Sequence, residues 1–398
     1  MKYLNLFILF LLCQNAFSQT KLNIRVLSRA TEQPIEGVSI YYPNNDEGTL
    51  TNANGKAALN VLDAEPIVVT HIGYDTLYLT KAEIVHKDTI LVKLNARVIQ
   101  ISEIAIPPYN LIKSLNYVLK NFNKLYVNTA YEKVGNFKET ARVNGILKRL
   151  VLTKLGWWSN GYILNKKKQP KLRLFDVEYN RELPFNIFVD IPEYNEQRTG
   201  HVEIKSIIPI MYLKTYLQQF IEYTPSLRST NISSDDNIIK VEYESDWSTV
   251  KNQTTRSVGH FIFDKKTKAI IEFLNIIEDK SSKKELEIES TKTIFTRQNK
   301  KSRTKHSFFK NLDGKYSLKS LSLFNETELI YQGKTFNLSI DNSFFLLKET
   351  AKRKADKGNS IDLNIPLHKN IPEKAGTVSS KNSILLNEDE EKFIENGK

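Results

Sequence analysis

The stretch Pro34-Ile35-Glu36-Gly37-Val38-Ser39-Ile40 combines a turn with the start of a strand, and it decides the fold of the N-terminal region. Pro34 and Gly37 reverse the chain, and the following apolar and polar residues alternate as in a half-buried strand. Asn52-Ala53-Asn54-Gly55 is a second turn, because Asn and Gly tolerate the positive φ of tight turns. Six or seven such short runs within residues 20–106, without a helical period, predict a small β-sandwich.

Five segments of this region resemble the carboxypeptidase-regulatory-like domain family in their order and spacing. Besides residues 34–40 they are Thr49-Leu50-Thr51-Asn52-Ala53-Asn54-Gly55-Lys56, His71-Ile72-Gly73-Tyr74, Leu91-Val92-Lys93-Leu94 and Ile101-Ser102-Glu103-Ile104. The resemblance implies a transthyretin-like, prealbumin-type sandwich that is an accessory domain without peptidase residues. One departure is His71, where the family usually has a small polar residue. The resemblance also implies a Gram-negative envelope protein, since such domains often precede outer-membrane transporters.

The matched positions are interpreted as structural rather than ligand-binding. The expected structural motif consists of Pro34, Gly37, Asn54, Gly55, Gly73 and Tyr74. The glycines are expected to serve turns and bulges. Tyr74 is expected to be a corner tyrosine with a buried ring and a hydroxyl that hydrogen-bonds to the backbone.

Residues 1–19 have the pattern of a secretory signal peptide. A basic start at Lys2 precedes an apolar run of about ten residues, which is too short to span a bilayer as a helix. Ala16-Phe17-Ser18 has small residues at the cleavage positions, so cleavage is expected after Ser18 or Gln19. Lipidation at Cys13 is the less favoured alternative. The expected location is the periplasm or the periplasmic face of the outer membrane, for a mature chain without cysteine.

Residues 107–349 are predicted to form a larger α+β unit after the linker Pro107-Pro108. Apolar residues at helical spacing predict helices at 110–125, capped by Asn110, and at 207–223. Successive hairpins, with turns at 265–268 and 311–315, predict a helix-backed antiparallel sheet, with a half-barrel as its alternative form.

This unit is similar, more loosely, to the segment that follows the same N-terminal domain in uncharacterised envelope proteins. The larger members of that group end in an outer-membrane barrel. The resemblance therefore implies a barrel-less relative, with no membrane-spanning segment expected in the mature chain. Residues 350–398 lose periodicity and are predicted to be a flexible tail, in which 387–395 can form a nascent helix.

The net charge of +12 comes from 57 basic and 45 acidic residues, but they are unevenly distributed. Residues 20–106 carry 8 basic and 10 acidic residues, so the whole excess lies after residue 106. The lysine clusters lie mostly in predicted turns and lack interleaved aromatic residues, which argues against nucleic acid as a partner. If these clusters bind, an exported protein meets acidic lipid, polysaccharide or an acidic partner first.

The sequence contains no motif that carries a known reaction. It has no Gly-x-Ser-x-Gly elbow, no His-Glu-x-x-His pair and no phosphate-binding glycine loop. The six histidines never fall four residues apart, so a helical zinc pair is not expected. No catalytic residue, cofactor or metal site is predicted.

Three functions remain open from the sequence. The first is a non-enzymatic interaction or scaffold accessory at the outer membrane, with an envelope protein as its partner. The second is a carrier of a lipid or other apolar ligand, contacted by Trp157, Trp158, Phe344 and Phe345; core packing is the plainer explanation of these aromatics. The third is an unrecognised hydrolase, for which His201 or His260 would have to meet a carboxylate in a cleft.

Overall fold

The fold comes from a computed structural model of the 398-residue chain. The structure describes residues 21–42, 48–61, 66–71, 73–84, 87–96, 109–161, 170–183, 212–234, 237–288, 293–311, 313–356, 358–376 and 386–396. Contacts divide the chain into an N-terminal unit, 1–97 with 380–387, and a sheet unit, 98–379 with 388–398. The predicted signal peptide, the linker Pro107-Pro108 and His201 lie outside the described residues.

Seven described strands form the N-terminal unit. Their bounds are β1 Lys21–Ser28, β2 Ser39–Tyr41, β3 Gly48–Leu50, β4 Lys56–Asn60, β5 Ile67–Thr70, β6 Leu77–Leu79 and β7 Thr89–Leu94. One sheet has the order β4-β1-β7 and the other has the order β3-β2-β5-β6. β1 pairs antiparallel with β4 and parallel with β7. These two sheets confirm the predicted sandwich.

Alternation along the strands gives both sheets one shared core. Leu22, Ile24 and Val26 lie on the same side of β1, because successive side chains of a strand point to opposite faces, and all three are buried. They belong to one apolar cluster with residues of both sheets, among them Ile40 and Val92. This shared cluster is what holds the two sheets face to face.

One element of this unit departs from the prediction. A one-turn helix, α1 (Lys81–Ile84), lies between β6 and β7. The carboxylate of Glu83 accepts hydrogen bonds from the backbone N–H and the hydroxyl of Thr80, both at 2.7 Å. Thr80 and Glu83 have the spacing of a capping box, which is a helix signal in the sequence itself.

The sheet unit contains twelve described strands and five described helices. The strands are β8 Ala130–Val143, β9 Ile146–Asn160, β10 Lys171–Glu182, β11 Leu227–Ser234, β12 Ile238–Ser245, β13 Ser248–Val250, β14 Gln253–Asp264, β15 Ile270–Asp279, β16 Lys284–Ile288, β17 Thr293–Lys310, β18 Tyr316–Tyr331 and β19 Lys334–Ala351. The helices are α2 Leu111–Lys120, α3 Phe122–Leu125, α4 Leu213–Tyr223, α5 Leu367–Asn370 and α6 Glu388–Glu395.

All twelve strands belong to one antiparallel sheet. Its main path is β10-β9-β8-β19-β18-β17-β15-β14-β12-β11, with β13 paired to β14 and β16 paired to β17. The hairpin turns predicted at 265–268 and 311–315 connect β14 to β15 and β17 to β18. Helices α2 and α4 cover one face with their apolar sides. The predicted helix-backed antiparallel sheet is therefore confirmed, and over the described residues it is open.

The helices agree with the predicted positions but differ in extent. The side chain of Asn110 accepts a hydrogen bond from the Lys113 N–H at 2.8 Å, so the predicted cap is present. The predicted helix at 110–125 is divided at Asn121 into α2 and α3. Of the helix predicted at 207–223, the described part is α4, and residues 207–211 lie outside the described residues.

The sheet curls around α4. At the start of this helix the Tyr212 ring lies 5.7 Å from the ring of Trp157 on β9, and four residues later Tyr216 stacks on Phe273 of β15 at 5.1 Å. Four helical residues rise about 6 Å. In a flat sheet, β9 and β15 would be roughly 24 Å apart, because five interstrand spacings separate them. Only a strongly curved sheet places both strands against one helical turn, in agreement with the half-barrel form.

Residues 358–376 and 388–396 of the predicted tail belong to the sheet unit. Ile361, Leu367 and Ile371 are buried and belong to its main apolar cluster. Residues 388–395 form α6, which matches the nascent helix expected there. Isolated apolar residues can thus pack against the sheet although the sequence has no periodicity there.

None of the described helices is both long enough and apolar enough to cross a membrane.

Candidate binding surfaces

The turn at 52–55 shows why the predicted glycine is required. Gly55 has φ +68°, and an added Cβ would lie 2.4 Å from the Val26 carbonyl oxygen and 3.0 Å from Cβ of Pro34. The side-chain oxygen of Asn52 closes the turn by accepting hydrogen bonds from the Asn54 and Lys56 N–H groups, both at 3.0 Å. The predicted residues Pro34 and Gly55 are therefore neighbours, and the close approach of the chain at this turn requires glycine at position 55.

The turn at Gly37 depends on a residue that the sequence motif did not single out. Gly37 has φ +76° and its N–H donates to the Thr51 carbonyl at 3.0 Å. The Thr51 hydroxyl donates to the Ile35 carbonyl at 2.7 Å and accepts from the Val38 N–H at 2.9 Å. Thr51 is buried, so one side chain satisfies two backbone groups that would otherwise be buried unpaired.

Tyr74 is not the buried corner tyrosine that the sequence predicts. Its ring is partly exposed and meets the His71 ring edge-on at 5.4 Å, and none of the described hydrogen bonds involves its hydroxyl. The Gly73 N–H donates to Nδ1 of His71 at 3.3 Å, so the unusual histidine caps this turn. The buried tyrosine with a backbone hydrogen bond is Tyr42, whose hydroxyl donates to the Asn60 carbonyl at 3.1 Å.

One edge of the sandwich carries exposed apolar side chains. Among the described strands, β6 and β7 are the end strands of their sheets, and the Asp75 N–H donates to the Asn95 carbonyl at 3.0 Å, which places both strands at the same edge. Tyr78 on β6 is 61% exposed and Leu91 on β7 is 57% exposed. We call these two residues and their strands the open edge. The alternation of residues along β7 predicts that the side chain of Leu91 points outward. That β6 and β7 lie at the same edge depends on the hydrogen bond between Asp75 and Asn95, which are far apart in sequence.

The four aromatic residues predicted to contact an apolar ligand are all buried, and they do not share one surface. Trp157 and Phe344 belong to the apolar cluster on the concave face. Trp158 is the next residue after Trp157 on β9, and Phe345 is the next residue after Phe344 on β19. Both therefore lie on the opposite face of the sheet. There the indole N–H of Trp158 donates to the Lys352 carbonyl at 2.9 Å, and Lys319 Nζ lies 4.7 Å from the Phe345 ring centre.

The sequence of the N-terminal unit matches a known protein family. Residues 25–106 match the family model described as CarboxypepD_reg-like domain. The N-terminal unit contains a carboxypeptidase-regulatory-like domain. The turns at Gly37 and Gly55, the Gly73-Tyr74 pair and the open edge all lie within the matched residues of this regulatory-like domain.

No curated protein matches the sequence. A solved structure titled "Lipid-protein interactions in lipovitellin" is similar at 8% identity, with a TM-score of 0.25; the match covers 58% of this chain and 26% of that chain. A TM-score this low supports no statement about fold or function.

His260 is the histidine that meets a carboxylate on the outer, convex face. Its Nε2 lies 3.2 Å from Glu272 Oε1, and Lys305 Nζ lies 3.5 Å from the other oxygen of Glu272. Ser307 is the residue opposite Glu272 on the next strand, and its hydroxyl bonds to Ser320 at 2.6 Å. An acyl-transfer triad needs the histidine between the serine and the acid. Here the acid lies between the histidine and the serine, which is the wrong order.

A lysine and a serine are paired in the interior of the sheet unit. Lys133 Nζ donates to the Ser317 hydroxyl at 2.6 Å and also pairs with Glu349. Burial lowers the pKa of Lys133 well below its usual value. A lysine of lowered pKa beside a serine has the composition of a nucleophile pair. Both side chains are fully shielded from solvent, so no substrate reaches Ser317 in this structure.

A second buried ionic cluster lies near α5. Arg149 donates from Nε to Glu139 at 2.8 Å and from Nη1 to Glu182 at 2.9 Å, and His368 Nε2 lies 3.4 Å from Glu182. Burial alone would raise the pKa of Glu182, but the hydrogen bond from His368 and the charge of Arg149 outweigh it and lower the pKa to about 2. Within the described residues, no three metal-ligating side chains come together.

Proposed function

We propose that this protein is an exported, non-enzymatic accessory of the cell envelope that binds a partner protein through the open edge of its regulatory-like domain. The proposed location is the periplasmic face of the outer membrane, which the signal-peptide pattern of residues 1–19 supports. The observation that carries the proposal is the exposure of Tyr78 and Leu91 on two end strands at one edge.

The open edge has the groups needed to pair with a β-strand of a partner protein. An end strand presents backbone N–H and C=O groups on its outer side, and a partner strand can pair with them. The side chains of such a strand would pack beside Tyr78 on one face of the sandwich or beside Leu91 on the other. Main-chain pairing would give affinity, and these apolar contacts would give specificity.

The test is a crosslinking experiment in the envelope of the native host. A photo-crosslinking residue at position 78 is expected to capture one defined partner, and adding Leu91→Lys to the same chain is expected to abolish its recovery. The matched control is Ile146→Lys in the sheet unit, where Ile146 is 62% exposed and lies at a hairpin end. Recovery of the partner despite Leu91→Lys, or its loss with Ile146→Lys, would refute binding through the open edge, and recovery of no partner from the unaltered edge would refute the proposal.

The apolar-ligand carrier stays an alternative that these contacts favour less. Trp157 and Phe344 pack in the cluster to which α2 and α4 contribute, so a ligand would have to displace a helix to reach them. Organic extraction of the purified protein, followed by mass spectrometry, would favour the carrier if a lipid is present in a one-to-one ratio. The hydrolase alternative has the acid, histidine and serine of the convex face in the wrong order.

A further inference from the structure

The C-terminal helix α6 packs on the convex face of the sheet with a single side. Glu390, Phe393 and Ile394 are its buried residues, and their spacing of three and four places them on one helical face. Its first turn is entirely acidic, with Glu388, Asp389, Glu390 and Glu391. The helix therefore has an acidic start and an apolar end on the side that faces the sheet.

Three neighbouring strands supply a complementary surface. In register, Lys138 on β8 lies beside Leu152 on β9, which lies beside Tyr179 on β10; Thr140, Leu150 and Arg181 form the next row. These rows lie on one face, because the residues of each strand are two apart. We call these six residues, together with Arg142, the platform.

The contacts between α6 and the platform are charged at one end and apolar at the other. Glu390 pairs with Lys138 at 3.1 Å, and Asp389 pairs with Arg142 at 2.6 Å. The ring centre of Phe393 lies 6.4 Å from that of Tyr179, and Arg181 lies 5.8 Å from the Phe393 ring centre. The aromatic end and the acidic end therefore contact different strands of the platform.

Isolated helices of this length are not stable in water, because nucleation is costly below about 12 residues. α6 has eight residues, so its helical form depends on the platform. An amphipathic helix that folds on a complementary groove is a recurrent mode of protein recognition, read through anchors at positions i, i+3 and i+4. The contact between α6 and the platform of the same chain therefore resembles the contact between a protein groove and a bound helical peptide.

We propose that the platform is a docking site for acidic amphipathic helices, and that α6 occupies and masks it in cis. The partner is a protein helix with two adjacent acidic residues, followed three and four residues after the second by an aromatic and an aliphatic residue. The proposal concerns a different surface from the open edge and does not depend on it. A tethered segment has an effective concentration on the order of 1 mM, so a partner helix must displace α6 to bind.

The test uses the full chain and a synthetic peptide of residues 386–396. Phe393→Ala with Ile394→Ala removes the apolar anchors of α6 and leaves the platform intact. This variant is expected to bind the labelled peptide at least about tenfold more tightly than the unaltered chain, since the cis competitor is lost. Equal binding by both chains, or no binding by the variant, would overturn the proposal.

Charge reversal makes the test specific to the platform. Lys138→Glu in the detached variant is expected to weaken peptide binding about tenfold, and a peptide with Glu390→Lys is expected to restore it. The control peptide carries Glu391→Lys, because Glu391 is exposed and forms no described ion pair. A Lys138→Glu variant that binds every peptide equally would mean non-specific adsorption and would overturn the proposal.

A second measurement needs no variant. With the peptide in millimolar excess over the unaltered chain, hydrogen exchange at the amides of α6 is expected to accelerate while exchange in β8 and β9 stays unchanged. Unchanged exchange in α6 would show that nothing displaces it, which contradicts the proposal.

Discussion

The regulatory-like domain and the sheet unit bury different kinds of polar group. Within the described residues, the buried polar side chains of the domain are neutral: Ser28, Thr49, Thr51 and Asn52. Those of the sheet unit include charged groups at Glu132, Lys133, Glu139, Arg149, Glu272 and Glu390. The domain is therefore held by apolar packing and turns, whereas the interior of the sheet unit contains charges that must stay paired.

The lengths of the strands suggest a reason for this difference. Strands in the domain have three to eight residues, whereas β17 and β19 have 18 each. A long antiparallel pair can slip by two residues and keep every side chain on its face, so apolar patterning alone does not fix its register. Arg149 on β9 pairs at once with Glu139 on β8 and with Glu182 on β10, so a slip of either neighbouring strand would change one of these two contacts. We infer that buried ion pairs specify strand alignment in this unit.

The two units can be followed separately in one chain. All three tryptophans, Trp157, Trp158 and Trp247, belong to the sheet unit. Tryptophan fluorescence therefore reports unfolding of the sheet unit alone. Hydrogen exchange read by mass spectrometry resolves the domain, peptide by peptide.

The largest expected effect is the loss of a buried cation. Arg149→Met keeps the length of the side chain but leaves Glu139 buried without its partner, which costs about 3–5 kcal/mol of unfolding free energy. Urea unfolding followed by tryptophan fluorescence measures this loss, and exchange in the domain should not change. Arg228→Met is the control, because Arg228 is 52% exposed in its pair with Glu244 and its loss should change the stability little.

A double variant separates two causes of the lost stability, the lost packing of Arg149 and the unpaired charge of Glu139. Adding Glu139→Gln to Arg149→Met removes the uncompensated carboxylate and should restore part of the lost stability. If the double variant is as unstable as the sum of the two single variants, the ion pair does not distinguish the two units, and the comparison fails.

The second effect tests the domain through its backbone. Gly55→Ala forces a side chain into φ +68° and places its Cβ 2.4 Å from the Val26 carbonyl oxygen, which should cost about 2–4 kcal/mol. Exchange across β1 and β4 should accelerate while the tryptophan transition stays in place. Gly73→Ala is the matched control: its nearest neighbour would be His71 at 3.7 Å, so a change below about 0.5 kcal/mol is expected. Equal effects of the two changes would contradict the steric argument.

The local sequence pattern was sufficient to predict the elements that depend on residues close in sequence. The alternation of β1, the cap at Asn110 and the turn at 265–268 all follow from neighbouring residues. The pairing of β8 with β19 did not follow, because the two strands lie some two hundred residues apart and no local pattern indicates that they are neighbours.

For the candidate surfaces, too, the sequence predicts the local features but not the long-range contacts. The outward position of Leu91 can be read from the alternation of β7, but the meeting of β6 and β7 depends on the bridge from Asp75 to Asn95. The acidic first turn of α6 was visible in the sequence, whereas its platform combines three strands joined only by folding. The motif predicts a buried corner tyrosine at Tyr74, and only the structure shows that the hydroxyl that meets a carbonyl belongs to Tyr42.

The third effect is a response to acid confined to the sheet unit. The pKa of Glu182 is about 2 in the folded chain, against 4.5 without these partners, so its contribution is present above pH 4.5 and is lost as the pH falls towards 2. Screening by water at this partly exposed carboxylate leaves about 2 kcal/mol. Urea unfolding between pH 3 and pH 6 should show the larger part of this loss in the unaltered chain and not in Glu182→Gln. The control, Glu244→Gln, should keep the full pH dependence; parallel curves for all three would rule out Glu182 as the cause.

The smallest effect decides which tyrosine stabilises the domain. Tyr42→Phe removes the hydroxyl that donates to the Asn60 carbonyl at 3.1 Å and leaves that carbonyl without this partner, which should cost about 1 kcal/mol. Tyr74→Phe should cost nearly nothing, because its partly exposed ring keeps its contact with His71 without the hydroxyl. Exchange rates in β2 and β4 measure both changes, with the tryptophan transition as an internal reference. If Tyr74→Phe is the more costly change, the corner tyrosine predicted from the motif is right, and the hydrogen bond of Tyr42 contributes little to the domain.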